Sequence, residues 1–420
     1  MMTKKLNRNL ALTVAGVWYL LHTLPAQAAA PSQSEIEQLK QQVQQLMQQN
    51  QQLNQRIADM EKNVQAQPAA SKAVIEEEVA RQVKEKSSGP GINEYVSLSG
   101  SIEGDYKLGK DFQGDHSSAF VLDTVDLILD VKVTDWATGK IVVEYDGTSD
   151  SEDLYLDEAH ITLGKTGTFP FFLTGGKIYA PFGDFSTNMI QDPLTQTVGE
   201  INSKGVIAGF EQYGVKAAVF SSNGMNEGSD PADDDNDSIN GFGASLTYSY
   251  EQEAMGFNAG IAWVNNIGDS STITDYLESA DGKASVHSIA NQVSGLSLNL
   301  GGNYKAFSLT TEYLTALDSF TFDELPYGTG GAAPGAWNSE LAYTTAIMDK
   351  ETVFAVGYQK SWEAVALELP EQRYIAAASM GIFDGATVTF EYYYDTDYSV
   401  DDGGTDNNGH GFTTRLAYEF

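Results

Sequence analysis

From residue 95 to the C-terminus, apolar and polar residues alternate in one long run after another, and this pattern restricts the fold more than any other feature of the chain. In the first run Val96, Leu98, Gly100, Ile102, Gly104, Tyr106 and Leu108 share one parity, while Ser97, Ser99, Ser101, Glu103, Asp105 and Lys107 share the other. A period of two is that of a β-strand with one apolar and one polar face. The run is long for a soluble strand, whereas about 9 to 11 tilted residues are needed to cross a bilayer. In the next run Val125, Leu127, Leu129, Val131 and Val133 point outward, and Asp126, Asp130 and Lys132 inward.

The same reading places strands at residues 95–108, 121–133, 140–146, 153–163, 170–180, 204–210, 213–220, 239–250, 255–264, 291–300, 303–315, 340–348, 351–360, 373–382, 386–395 and 409–420. The pattern therefore predicts an all-β fold, a sixteen-stranded antiparallel transmembrane barrel of porin type. An even count returns the C-terminus to the side on which the barrel began. Short turns, among them Glu211-Gln212, Gly301-Gly302 and Asp349-Lys350, alternate with long connections, so one end carries turns and the other loops. The final strand has Phe412, Leu416, Tyr418 and Phe420 on one parity and Arg415 and Glu419 on the other. Its aromatic end resembles the C-terminal strand that outer-membrane β-barrels present to their assembly machinery, which implies Tyr418 and Phe420 as the assembly signal.

The N-terminal quarter has a different period. Lys4, Lys5 and Arg8 precede an apolar run ending near Leu24, and Ala26-Gln27-Ala28 follows, which is a signal peptide over residues 1–28. Residues 29–70 carry heptads, with Ile36, Val43, Asn50, Ile57 and Val64 at a and Leu39, Leu46, Leu53 and Met60 at d. This is a short periplasmic α-helical coiled coil, and the polar Asn50 would fix its register. The alternative is a lone amphipathic helix lying on the barrel, and dimer and trimer both remain open. Residues 71–91 form a short helix and a linker broken at Gly89-Pro90-Gly91, and the barrel domain follows over residues 92–420.

Composition narrows the function. The chain has no cysteine and a formal charge of −34, which leaves no thiol chemistry and disfavours nucleic acid as a partner. No histidine sits in a hydrolase or zinc-peptidase motif, so neither enzyme chemistry nor a cofactor is expected. The acidic run from Asp230 to Asp237 is open to two readings, a calcium loop or a solvated loop. Inside the barrel, parity places Lys107, Lys132, His160, Lys177, Lys216, Arg373 and Arg415 on the lumen wall. They form either a basic ladder that attracts an anionic solute or ordinary pairs with carboxylates such as Glu103, Asp130 and Glu419. The third long connection, residues 181–203, is less acidic and carries Phe182, Phe185, Met189 and Ile190. It is expected to fold into the barrel as a constriction, with Asp184, Asn188, Gln191 and Asp192 facing a basic wall that includes Lys177. The alternative is a latch between subunits.

The segments Leu156-Asp157-Glu158-Ala159-His160-Ile161-Thr162-Leu163-Gly164 and Gly175-Gly176-Lys177-Ile178-Tyr179-Ala180-Pro181-Phe182-Gly183-Asp184, with the coiled coil and the terminal Tyr418-Glu419-Phe420, resemble the LbtU-type siderophore porins. The resemblance implies a bacterial outer-membrane protein that takes up a ferric siderophore of polycarboxylate type. It also implies contact with outer-membrane lipid and lipopolysaccharide, and a homo-oligomer joined through the coil. A trimeric porin for small carboxylates or sugar acids and a structural tether to the cell wall are the competing readings.

Overall fold

The computed structural model describes residues 95–147, 154–164, 168–227, 238–278 and 288–420. The signal peptide, the coiled coil with Asn50 and the acidic run from Asp230 to Asp237 lie outside the described residues. In chain order the strands are β1 (Val96–Lys110), β2 (His116–Thr134), β3 (Ala137–Asp146), β4 (Leu154–Gly164), β5 (Phe171–Tyr179), β6 (Asn202–Gln212) and β7 (Val215–Asn223). Next come β8 (Asn226–Glu227), β9 (Ile239–Gln252), β10 (Met255–Val264), β11 (Ser288–Ile289), β12 (Gly295–Tyr304), β13 (Phe307–Ala316), β14 (Pro326–Tyr327) and β15 (Gly330–Gly331). The last are β16 (Gly335–Ile347), β17 (Lys350–Trp362), β18 (Gln372–Phe383), β19 (Ala386–Thr396) and β20 (Asn408–Glu419). Among the described residues two helices, α1 (Leu194–Gly199) and α2 (Ser271–Glu278), lie in the long connections.

Sixteen strands close into one barrel; the four two-residue strands β8, β11, β14 and β15 pair outside it. Each barrel strand is antiparallel to its neighbours, and β20 completes the ring against β1 with Ser101 opposite Glu419 and Lys110 opposite His410. The chain end is tied into this seam, because Phe420 N–H donates to the Gly100 carbonyl at 3.1 Å and Gly100 N–H to the Phe420 carbonyl at 3.0 Å. The Phe420 ring lies over Gly100, where an added Cβ would come within 2.9 Å of it.

The outward rows hold the large apolar side chains that a soluble fold would bury. Leu98 is 59% exposed, Ile161 61% and Leu416 55%. An exposed apolar belt around a closed barrel is the surface that lipid covers. At the turn end it finishes in an aromatic chain, Trp136 to Phe169, Phe171 and Phe210, with successive ring centroids 5.5 to 5.6 Å apart. Such a girdle suits a membrane–water boundary.

Expected turns are displaced in places: Glu211-Gln212 lies inside β6, opposite Lys216 and Val215, and the chain reverses at Tyr213-Gly214. Gly301-Gly302 is not a turn but lies inside β12, and the chain reverses at Lys305 with φ 55°. The glycines are there for space: a Cβ on Gly301 would stand 2.1 Å from Asn258 Oδ1 on the neighbouring strand.

The loops do not leave the barrel mouth open. Phe182, Leu194, Val198, Met225, Ile267, Ile273, Leu277, Leu314, Leu325 and Leu367 form one buried cluster from five different connections and the inner wall. Burying a side chain of this kind is worth about 1.5 to 3 kcal/mol, so the cluster fixes the loops over one half of the lumen.

Candidate functional site

The third long connection, residues 180–201, runs inside the barrel rather than over its rim. Three inner-wall glutamates hold it, at 1% exposure for Glu312, 4% for Glu340 and 1% for Glu391. Glu312 on β13 accepts from Asp184 N–H at 2.8 Å, Thr195 Oγ1 at 2.9 Å and Ser297 Oγ at 3.0 Å. Glu340 on β16 accepts from Thr187 Oγ1 at 2.6 Å, Asn188 N–H at 3.0 Å and Asn188 Nδ2 at 2.5 Å. Glu391 on β19 accepts from Ile190 N–H at 2.5 Å and Gln191 N–H at 3.2 Å. Gln359 on β17 adds a fourth anchor, accepting from Leu194 N–H at 3.2 Å. A buried carboxylate without partners is costly, and each of these finds N–H or O–H donors on the loop. Gly183, at φ +102°, makes the bend that lets the chain dip inward, packed against the Phe185 ring and Glu312.

The opposite wall, β20 and β1 to β4, is organised around cations. Arg415 places Nε 2.8 Å from Asp105 Oδ1 and also binds Glu103 and Asp123. Lys107 Nζ lies 2.6 Å from Asp123 and 3.5 Å from Asp105. Lys140 Nζ reaches Glu158 at 2.6 Å, and His160 Nε2 lies 3.3 Å from the same carboxylate. On β18, Arg373 grips Asp395 with two bonds of 2.9 Å and stacks 5.0 Å from the Tyr393 ring centroid.

The inward loop faces that wall with its own acids. Asp192 lies within electrostatic reach of Arg415, Asp123 and Arg373, and Glu200 of Asp157 and Glu144. Loss of water around Glu200, with Asp192 and Asp157 nearby, pushes its carboxyl up to about pKa 7. Glu103, Asp105, Asp123, Asp126, Glu144, Asp157 and Glu158 thus meet Asp192 and Glu200 across the passage, against Lys107, Lys140, Arg373 and Arg415. Acid exceeds base, and the bases are already paired.

Five expected site residues sit elsewhere than at a basic lumen wall. Lys177 is not on the lumen wall: it pairs with Ala159 and Lys204 and shares the parity of the exposed Phe171 and Leu173. The parity error arises because Gly176, at φ +145°, occupies the inward position beside His160. Asp184 and Asn188 anchor the loop instead of facing a basic wall, since Asp184 also accepts from Asn258 Nδ2 at 3.1 Å. Lys132, 3.6 Å from Asp135, and Lys216, 5.8 Å over the Phe172 ring, lie towards the turn end, away from the constriction. The three clamp glutamates were missed, although each is a lone acid with an apolar or aromatic residue after it, in Thr311-Glu312-Tyr313, Ser339-Glu340-Leu341 and Phe390-Glu391-Tyr392.

No protein-family profile matches the chain. A Coxiella burnetii protein described as a UPF0422 protein is 24% identical over 312 residues, covering 72% of this chain and 65% of its own length. A UPF0422 protein of Legionella pneumophila strain Lens is 22% identical over 320 residues, covering 73% and 60%. The chain therefore spans about 60 to 65% of the length of these curated relatives. Among solved structures, OprB of Pseudomonas putida superposes with a TM-score of 0.55 at 11% identity over 78% of this chain and 95% of its own. OmpF of Salmonella typhi gives 0.54 at 12% identity over 77% and 97%. The outer membrane channel DcaP of Acinetobacter baumannii gives 0.51 at 15% identity over 77% and 97%. At these identities the likeness is one of fold, a porin-type barrel.

Proposed function

We propose that the protein is an outer-membrane channel through which solutes diffuse passively past an acidic constriction. The observation that carries this reading is the inward loop itself. Clamped by Glu312, Glu340 and Glu391, it narrows a closed barrel and presents Asp192 and Glu200 to a wall whose cations are already paired. A field of this sign favours cationic and neutral solutes and retards polyanions.

The resemblance to siderophore porins supports a ferric chelate as cargo. The charge at the constriction then selects chelates with little net negative charge over ferric polycarboxylates, and it counts equally against small carboxylates and sugar acids. The exported coil over residues 29–70 would assemble the oligomer in the periplasm, and Tyr418 and Phe420 would present the last strand to the assembly machinery.

Swelling of proteoliposomes tests the reading with amino sugars, neutral sugars and sugar acids of matched size, together with ferric chelates of graded charge. The expected order of entry is cationic, neutral, then anionic. Entry of sugar acids first, or preferential and saturable uptake of a ferric polycarboxylate, would overturn the charge reading. A barrel that passes nothing would leave the tether.

A further inference from the structure

Three consecutive inward rungs between β10 and β12 repeat one motif. Gly256 stands opposite Asn303, Asn258 opposite Gly301 and Gly260 opposite Asn299, so the asparagine changes strand at each step. The parity is that of the lumen: Ser297, two residues from Asn299, donates to Glu312, and Asn258 Nδ2 donates to Asp184 on the inward loop at 3.1 Å. Each asparagine leans over the glycine it faces. An added Cβ would stand 2.1 Å from Asn303 Oδ1 at Gly256, 2.1 Å from Asn258 Oδ1 at Gly301 and 2.6 Å from Asn299 Oδ1 at Gly260. The glycines give the amides room to lie across the seam, and the three make a zigzag ladder along the wall.

The ladder carries no charge of its own. Its neighbours are Thr247 and Ser249 on β9, opposite Gly260 and Asn258, and Thr310 and Ser308 on β13, opposite Gly301 and Asn303. Carboxylates stand at its two ends, Glu251 opposite Gly256 and Glu312 opposite Asn299, and Glu312 is committed to the clamp. The Asn299 and Asn303 amides make no hydrogen bond to any described residue, and Asn303 is exposed. Asn258, held by Asp184 through Nδ2, keeps Oδ1 as an acceptor. A side-chain amide has an acceptor oxygen and two donor hydrogens, so each free one offers both to a solute.

The spacing identifies the solute. Rungs two residues apart on antiparallel strands are separated by about 6.8 Å. An extended peptide presents an N–H and a C=O on one edge at the same repeat. The three rungs span about 14 Å, which about five extended residues cover. We propose that Asn299, Asn258 and Asn303 form a subsite for a short extended peptide, their amides pairing with its backbone along the wall from the constriction loop towards the turn end. The proposal rests on the channel reading above and deepens it, because the acidic constriction admits peptides that are neutral or cationic.

The test is block of single-channel current through the purified full-length protein in a planar bilayer by an acetylated, amidated pentapeptide of glycine and serine. Its comparators are the same peptide with every backbone amide N-methylated and a neutral oligosaccharide of matched mass. In wild type the parent peptide is expected to block at about tenfold lower concentration than either comparator, the difference that two hydrogen bonds provide. The double variant Asn299→Ala/Asn303→Ala should bring the three within about twofold of one another, with ion selectivity at its wild-type value. Neither amide holds the fold, and thermal melting of the double variant verifies this. Retention of the full preference by the double variant overturns the site. Equal block by the parent peptide and its N-methylated form, or by the oligosaccharide, overturns the peptide assignment. A conducting channel that the peptide does not block removes this proposal alone, whereas a protein that carries no current removes the channel reading with it.

Discussion

The two halves of the inner wall use their carboxylates differently. From β13 to β19, Glu312, Glu340 and Glu391 are buried with little or no help from a neighbouring cation and accept instead from N–H and O–H groups of the inward loop. From β20 to β4, Glu103, Asp105, Asp123 and Glu158 are met by Arg415, Lys107 and Lys140. The difference teaches why this barrel is narrow on one side only. Donors that belong to a folded loop satisfy one set of acids by bringing the loop inward, while side-chain cations satisfy the other set and leave that wall clear.

Removing the loop breaks the comparison outright. Deletion of residues 187–197 takes away the donors to Glu340 and Glu391 and most of the helix α1. Single-channel conductance is expected to rise severalfold with the barrel intact, and an unchanged value in a correctly folded deletion would place the constriction elsewhere.

Arg415→Ala attacks the other half. It leaves Asp105, whose side chain is fully buried, beside Glu103 and Asp123 with only Lys107 to balance them. Stripping a partner from buried charges costs about 3 kcal/mol, so thermal unfolding in detergent should move down clearly. Adding Asp105→Asn should recover part of the loss, and a recovery of zero would mean that the two residues are not coupled.

A smaller effect belongs to Glu340. Glu340→Leu removes the acceptor for Thr187 and Asn188, with hydrogen bonds to a charged group worth about 1.5 to 3 kcal/mol each. The loop should then fluctuate, giving noisy open-channel current, while Glu340→Gln keeps one acceptor oxygen and should be quieter. Identical traces from the two variants would show that the clamp does not set the width.

The smallest effect is one of pH. The Glu200 carboxyl, raised to about 7, is mostly ionised at pH 8 and mostly neutral at pH 6. Acidification across this window therefore removes a negative charge from the passage, and cation preference should weaken. Glu200→Gln should flatten the change between pH 6 and 8. In stability terms the raised value means that ionisation is disfavoured in the fold, so the penalty is absent at low pH and grows as pH rises towards 7.

Much of the barrel was legible because parity is a strong signal wherever one face meets lipid: Val125, Leu127 and Leu129 leave no choice of face for Asp126 and Asp130. The signal failed where a glycine carries no face. Gly301-Gly302 read as a turn, and Gly175-Gly176 hid which way Lys177 pointed. The inward path of the third connection was legible from its apolar residues, but its anchors were not. Glu312, Glu340 and Glu391 come from strands far apart in sequence, and only the closed ring brings them under one loop.

The most direct measurement of the whole account is the zero-current potential of the wild-type channel in a planar bilayer under a tenfold gradient of potassium chloride at pH 8. With Asp192 and Glu200 ionised opposite a wall of paired cations, the potential should shift towards that of potassium. A shift towards chloride would mean that base, not acid, governs the constriction, and would contradict the account.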